Sequence, residues 1–437
     1  MPEYKLNRLM KKSYSLEENH QKLKKEVSKL REASKPLLER PRSKYNRRDL
    51  VLRKSVVYPA FDRKTVLTDS HWHYIELFLC ASKEENCREA ANYWNQAKNF
   101  YAATKNLDLV AKPLTTYYCF LNATKALLTY KDIKFDLTHG ISGNHNEAGQ
   151  IKLQNEYISI HKKGVLAGLC EYLDEPIMLT QKNENIFGDK RIDVLTKGIF
   201  IKTKSLISEG KCQDFENELK NFFTNYKQTK SFPEEYTLKN ILYNLEFVHR
   251  AYKLTFKSEP ELFIPIIKPQ FVFDKSKDES WLEFQLEVDD SNARTLKNIE
   301  GFKRDDYYNT DAYYLRANDV FKWSSKNNQK NLIGFNSYYK KYRKMFVYIY
   351  STNELWYFKR TNLTRGIINR NSMVLTFAAM HRLSEMSRYD PNLLDAHLGS
   401  QHGWLLSEFI NKSLYQFIDM ISSEISGDDF RATGFRN

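Results

Sequence analysis

Cysteine is scarce in this chain. Five occur in 437 residues (Cys80, Cys87, Cys119, Cys170 and Cys212), an odd number with no CxxC pair among them. That excludes a zinc ribbon and a disulfide-stapled secreted scaffold, and fits reduced thiols in a cytoplasm. Glycine and proline are also few, 15 and 11, so collagen-like, Gly-rich and Pro-rich architectures are excluded. No run of about 18 apolar residues occurs, so no membrane span is expected. The opening MPEYKLNRLMKKSYSLEEN lacks the apolar stretch of a secretory signal. Neither GxGxxG nor the P-loop pattern is present, and there is no GxSxG elbow. The expectation is a cytoplasmic protein with no cofactor, no metal and no recognisable catalytic nucleophile.

What is present is a soluble globular composition, 41% hydrophobic and 28% charged, with a net charge of +14. The charge is unevenly placed. Residues 1–54 carry 17 Lys and Arg against 7 Asp and Glu, a net +10, which leaves +4 for the remaining 383 residues. Arg40, Arg42, Lys44, Arg47, Arg48, Arg53 and Lys54 make the second half of this arm arginine-dense. A concentrated basic stretch attracts polyanions by counterion release, so nucleic acid or an acidic protein is the partner it suggests; a solvated tail is the bland alternative.

The first half of the arm has its own pattern. Ser15 and Glu18 read as a capping box that opens a helix. Leu16, Leu23, Leu30 and Leu37 then fall seven apart with Val27 at the alternate seam position, which suggests a short coiled coil or a helix docked on a partner. Pro36 and Pro41 mark the run after it as an extended linker.

The body begins near Ser55. Helical periodicity covers 84–104 and resumes at Pro113, so two helices form an antiparallel hairpin. The run KFDLTHGISGNHNEAG reads as a shaped turn, and IKLQNEYISI alternates like a strand. Helices are expected over 214–226 and 238–254. From Glu261 the period becomes two (ELFIPI, QFVF, WLEFQLEV, MFVYIY, ELWYF), and the chain ends in helices over 368–425. The class is α+β: a helical hairpin and C-terminal helices packed with a mostly antiparallel sheet, preceded by a basic helical arm. The arm is placed at 1–54. The body at 55–437 is helical over 71–130, mixed over 150–255 and β-rich over 261–360.

The stretch AKNFYAATKNLDLVAKPLTTYYCFLNATKALLTY, the His-Gly of LTHGISG, the later ELFIPI and the C-terminal LSEMSRYDP occur in that order. In this they resemble the YaaC-like proteins of bacteria over roughly residues 90–425. The resemblance implies a fold and brings no established chemistry. It matches Lys112, Pro113, Tyr118, Asn122, Lys125, His139, Gly140, Arg388 and Tyr389, and it does not cover the arm.

Candidate sites follow from residue types. Lys112, Tyr118, Asn122, Lys125 and His139, with distant Arg388 and Tyr389, form either a buried network that fixes the hairpin or an anion or nucleotide pocket. The network is the favoured reading. His71-Trp72-His73 has a metal-nuclease spacing, but its flanks read as the start of a helix, which sends the two rings to different faces. Glu218-Leu219-Lys220 mimics half a nuclease motif within a helical period. His139 and His145 match no strong metal motif. Arg370-Asn371 opens a helix, as in some helical ribonucleases, but the next histidine, His381, is eleven residues on. The expected function is a non-catalytic subunit of a bacterial multi-protein system, by analogy one of antiviral defence, that docks nucleic acid or a partner through the arm. It would form homo- or hetero-oligomers through the Leu16/Leu23/Leu30 helix. The alternative is an enzyme or sensor, nuclease or nucleotide-binding, that uses the Lys/Asn/His/Arg set.

Overall fold

A computed structural model describes residues 3–33, 40–146, 151–177, 180–185, 227–286, 299–308, 313–324, 328–353, 355–360, 363 and 366–431. Leu37, Cys212, Glu218–Lys220 and the helix expected over 214–226 lie outside these residues. Along the chain the helices are α1 (Glu3–Ala33), α2 (His71–Cys80), α3 (Glu85–Thr104), α4 (Lys112–Tyr130), α5 (Val165–Tyr172) and α6 (Leu238–Tyr243). They continue with α7 (His249–Thr255), α8 (Asn328–Arg343), α9 (Ser372–Tyr389), α10 (Pro391–Leu398) and α11 (Gly403–Ser426). The strands begin with β1 (Lys44–Tyr45), β2 (Arg48–Asp49), β3 (Val66–Leu67), β4 (Ile141–His145), β5 (Glu156–Ile160), β6 (Thr180–Asn185), β7 (Lys227–Phe232) and β8 (Glu234–Thr237). They end with β9 (Phe263–Asp274), β10 (Glu279–Leu286), β11 (Phe302–Arg304), β12 (Tyr313–Ala317), β13 (Phe321–Lys322), β14 (Phe346–Ile349), β15 (Leu355–Lys359) and β16 (Phe430–Arg431). The α+β class stands.

The chain forms two compact units. One gathers Met1–Leu52, Ile264–Met345 and Trp356–Asn362; the other gathers Arg53–Phe263, Phe346–Leu355 and Leu363–Asn437. In the first unit β9 and β10 make a long antiparallel hairpin, with β12 and then β11 beyond β10 and β15 on the far side of β9. Trp281 sits opposite Val272, and Phe284 opposite Leu315. Helix α8 was not legible between the strands. It buries Phe335, Tyr338, Tyr339 and Tyr342 against Phe271, Phe302 and Phe321, an aromatic core of edge-to-face and tilted contacts. Helix α1 starts twelve residues before the expected capping box, so Ser15 and Glu18 are interior helix positions. Residues 40–48 of the run read as linker form instead, with 49–52, the β1–β2 hairpin, whose flanks Arg42 and Val51 bridge to β9 at Val272 and Gln270. Leu50 drives this docking and is fully buried.

In the second unit α3 and α4 form the expected antiparallel hairpin. Pro113 lies in the first turn of α4, where its missing N–H costs nothing. Phe120 of α4 stacks on Phe417 of α11 at 4.1 Å between ring centroids. Ser387 Oγ donates to Val110 O at 2.6 Å, so the end of α9 meets the start of α4 and the two helices run antiparallel. A small antiparallel sheet, β4–β5–β8, lies in the same unit. The expected turn over 134–149 is therefore in part a strand. The helix expected over 238–254 is broken at Asn244, whose side chain accepts from Ile368 N and donates to Gly366 O.

Candidate functional site

Helix α4 is buried on nearly every side, so its polar side chains must find partners within the protein. Tyr117 finds one two residues before β4: its hydroxyl lies 2.7 Å from His139 Nδ1. Burial, with Tyr118 and Glu385 nearby, pushes the Tyr117 phenol well above its ordinary range, so it keeps its proton. Across from it on α9, the His381 ring stands edge-on to Tyr117 at 4.9 Å and to His139 at 5.8 Å. Burial, with His139, Arg382 and His161 alongside, pushes His381 down to about 3. Its Nδ1 is buried without a hydrogen-bond partner, 3.8 Å from Glu385 Oε2.

His139 is also held below the ordinary histidine range, first by burial and then by the charges of Lys125 and Arg388. The ring is therefore neutral near pH 7. With the phenol as donor to Nδ1, its own proton sits on Nε2. No carboxylate pairs with Lys125 or Arg388 among the described residues. Lys125 lies over the Tyr93 ring at 5.6 Å and is lowered by burial, while Arg388 packs over the Tyr389 ring at 4.9 Å.

The backbone around His139 is fixed by two glycines. Gly140 and Gly164 both have positive φ, 78° and 109°, and a Cβ on Gly164 would lie 2.4 Å from Gly140 N. Only glycines fit that approach, which brings His161 N to Gly140 O (2.9 Å) and Leu166 N to His139 O (3.2 Å). On β4, Gly143 has no side chain because Arg382 and Glu385 of α9 lie over it; its N–H donates to Glu385 Oε1 at 3.1 Å.

Behind this pair of helices sits a fully buried carboxylate. Glu156 of β5 accepts from Arg382 Nε at 3.0 Å and Nη2 at 2.7 Å. His145 Nδ1 lies 2.6 Å and His397 Nε2 2.9 Å from its other oxygen. Burial alone would raise Glu156, but the bonds from His397 and Arg382 outweigh it and hold the group below its ordinary value. His397 in turn meets His402 Nε2 at 2.8 Å, and burial beside His397 lowers His402 to about 4. Arg382 Nη1 also reaches Glu385 Oε2 at 3.2 Å, so one guanidinium ties the Glu156 hub to the His381 edge of the site. Among the described residues no group of three or more His, Cys, Asp or Glu side chains is placed to hold a metal ion.

The residues expected from sequence fall into three groups. Lys125, His139 and Arg388 share one electrostatic neighbourhood. Lys112, Tyr118 and Asn122 do not join them: Lys112 donates to Asn411 Oδ1 at 3.1 Å, Tyr118 stacks on Phe100, and Asn122 donates to the Tyr118 carbonyl. Tyr389 is 72% exposed. The arm cations divide as well. Arg40 is bound by Glu283 (2.6 Å) and by Asp305, Arg53 by Asp429, and Lys54 by Asp419 at 2.8 Å. Arg48 is half-buried, while Arg42, Lys44 and Arg47 remain exposed around the β1–β2 turn, the first two facing Asp49. His71 opens α2, as expected, and its Nε2 lies 2.9 Å from Asp419 while His73 points to solvent.

Sequence reasoning chose Tyr118 over its neighbour Tyr117 and did not single out Glu156, Arg382 or Glu385. One signal was legible: Glu156 shares the buried face of its alternating strand with Ile158 and Ile160. A carboxylate in that register needs cationic partners inside the protein.

A family model described as YaaC-like Protein matches residues 60–425. No curated protein and no solved structure matches the chain.

Proposed function

The chain belongs to the YaaC-like family, and on that premise we propose that its second unit binds a phosphate-bearing anion at His139, beside Lys125 and Arg388. The observation that supports this is uncompensated positive charge. Arg40, Arg53, Lys54, Arg370 and Arg382 are each matched by a carboxylate within their own unit. Lys125 and Arg388 are not, and after burial, the larger cause, their charges also lower His139. Like charge left unrelieved in a folded protein is a feature of binding sites, and a bound phosphate would relieve it. The neutral His139 ring, whose Nδ1 is held by the Tyr117 hydroxyl, has its Nε2–H left as a donor, which suits a hydrogen bond to a phosphate oxygen.

The test is titration of the full chain with inorganic phosphate, nucleoside phosphates and short RNA. Lys125→Ala and Arg388→Ala should each weaken binding at least tenfold while the melting temperature stays within about two degrees, as for other partly exposed cations. Absence of anion binding by the parent, or binding by both variants as tight as the parent's, would sink the reading.

A second reading keeps the basic arm as a dock for nucleic acid or an acidic protein. It is favoured by the exposed Lys12, Lys22, Lys24 and Lys25 of α1 together with Arg42, Lys44 and Arg47. Fluorescence anisotropy with duplex DNA, single-stranded DNA and RNA decides it: deletion of residues 1–33 should lower affinity and flatten its salt dependence.

A further inference from the structure

We propose that α1 pairs with α1 of a second copy of this chain as a parallel, in-register, two-stranded coiled coil. Every residue from 12 to 27 on this helix is exposed, and the aliphatic ones are not scattered. Leu16 is 69% exposed, Leu23 59% and Val27 43%. With the helix beginning at Glu3, the spacing extends beyond these residues: Leu9, Leu16, Leu23 and Leu30 hold one seam position of the heptad. Leu6, Ser13, His20 and Val27 hold the other. Four heptads over 31 residues make a helix about 46 Å long, enough for a coiled coil and too apolar on one stripe to leave in water.

The occupant follows from charge. In a parallel pair, each residue just before one seam position faces the residue just after the other seam position, one heptad on, in the second copy. That register sets Lys12 against Glu17 of the other copy, twice by symmetry. Antiparallel pairing centred on residue 18 sets Glu17 beside Glu17 instead. Parallel register also puts Ser13 against Ser13 and His20 against His20. Polar meets polar at two layers, and a slip of one heptad would place each against an apolar residue or the other polar one. Of the other described cations, Lys22 and Lys25 take outward positions, and Lys24, just after the seam, faces the neutral Asn19 of the other copy.

Light scattering on the full chain at tens of micromolar should give twice its 51.8 kDa mass. L16D combined with L23D should give the monomer, since each copy would place charge in an apolar seam. K12E and E17K should each weaken the dimer about tenfold, and a mixture of the two chains should recover parent affinity, because each then meets an opposite charge. S13C should form an interchain disulfide under mild oxidation that the parent does not. A monomeric parent, an unchanged mass for L16D/L23D, a K12E and E17K mixture no tighter than either variant alone, or S13C that does not cross-link would each overturn the proposal.

Discussion

Replacing Glu156 by glutamine removes one negative charge and almost no volume, so its effect isolates electrostatics from packing. In the parent the carboxylate is fully buried and accepts two guanidinium bonds and contacts from two imidazoles. The amide offers one acceptor oxygen and turns an NH2 donor toward groups that are themselves donors. Arg382, 7% exposed, keeps Glu385 but loses the partner that holds its Nε and Nη2. Breaking a buried pair from one side costs about 3–5 kcal/mol, which for a unit of this size corresponds to a fall on the order of 5–10 °C in Tm. The sign of the pH dependence is fixed. Glu156 is held below its reference value of 4.5, so its contribution is complete above that value and is lost as pH falls through the lowered one. The deficit of E156Q should therefore be full at pH 7 and shrink in acid. Thermal and urea melts of parent, E156Q, R382M and the double variant form the cycle, with an expected coupling of about 2 kcal/mol or more. A deficit below about 1 kcal/mol at pH 7, or additive single effects, would show that the hub is not held by charge.

His381→Phe should make the protein more tolerant of acid: the parent's histidine drops from 6.5 to about 3 in the fold. The unfolded chain therefore gains the proton first and stability falls between those values, at roughly 1 kcal/mol per pH unit. An unchanged slope of Tm against pH in that window refutes the assignment. Gly164→Ala should cost more than about 3 kcal/mol or leave the protein insoluble, because φ is 109° and the new Cβ would collide with Gly140 N. Gly334→Ala in α8, with open space around its Cβ, should by contrast be neutral or raise stability by up to about 1 kcal/mol, both read by urea melts.

The helical hairpin and the β-rich stretch were legible because their periods, 3.6 and 2, persist over many residues. Helix α4 shows where that legibility ends. Its interior is buried all round, so no polar face distinguishes Tyr117 from Tyr118, and only the position of α9 decides which hydroxyl reaches His139. The β4 segment ISGNH carries the residues of a turn. Gly143 belongs to a strand because two long side chains of α9 need the room that a Cβ would take, and no local pattern contains that information. The arm's cations misled for a related reason. Composition counts Arg40, Arg53 and Lys54 as surface charge, but the carboxylates that bind them lie more than 240 residues away in sequence.

Residues 53–57 and the last long helix grip one another. Asp419 and Glu424, both buried in α11, hold Lys54 Nζ, Ser55 Oγ and the N–H groups of Val56 and Val57. The family match begins at residue 60, beyond this clasp. A fragment trimmed to the family boundary would keep Asp419 with only His71 and Glu424 with only the Tyr172 hydroxyl, two buried carboxylates each stripped of several donors. The compact unit thus starts before the segment the family match covers, and a truncation chosen by homology would cut through its closure.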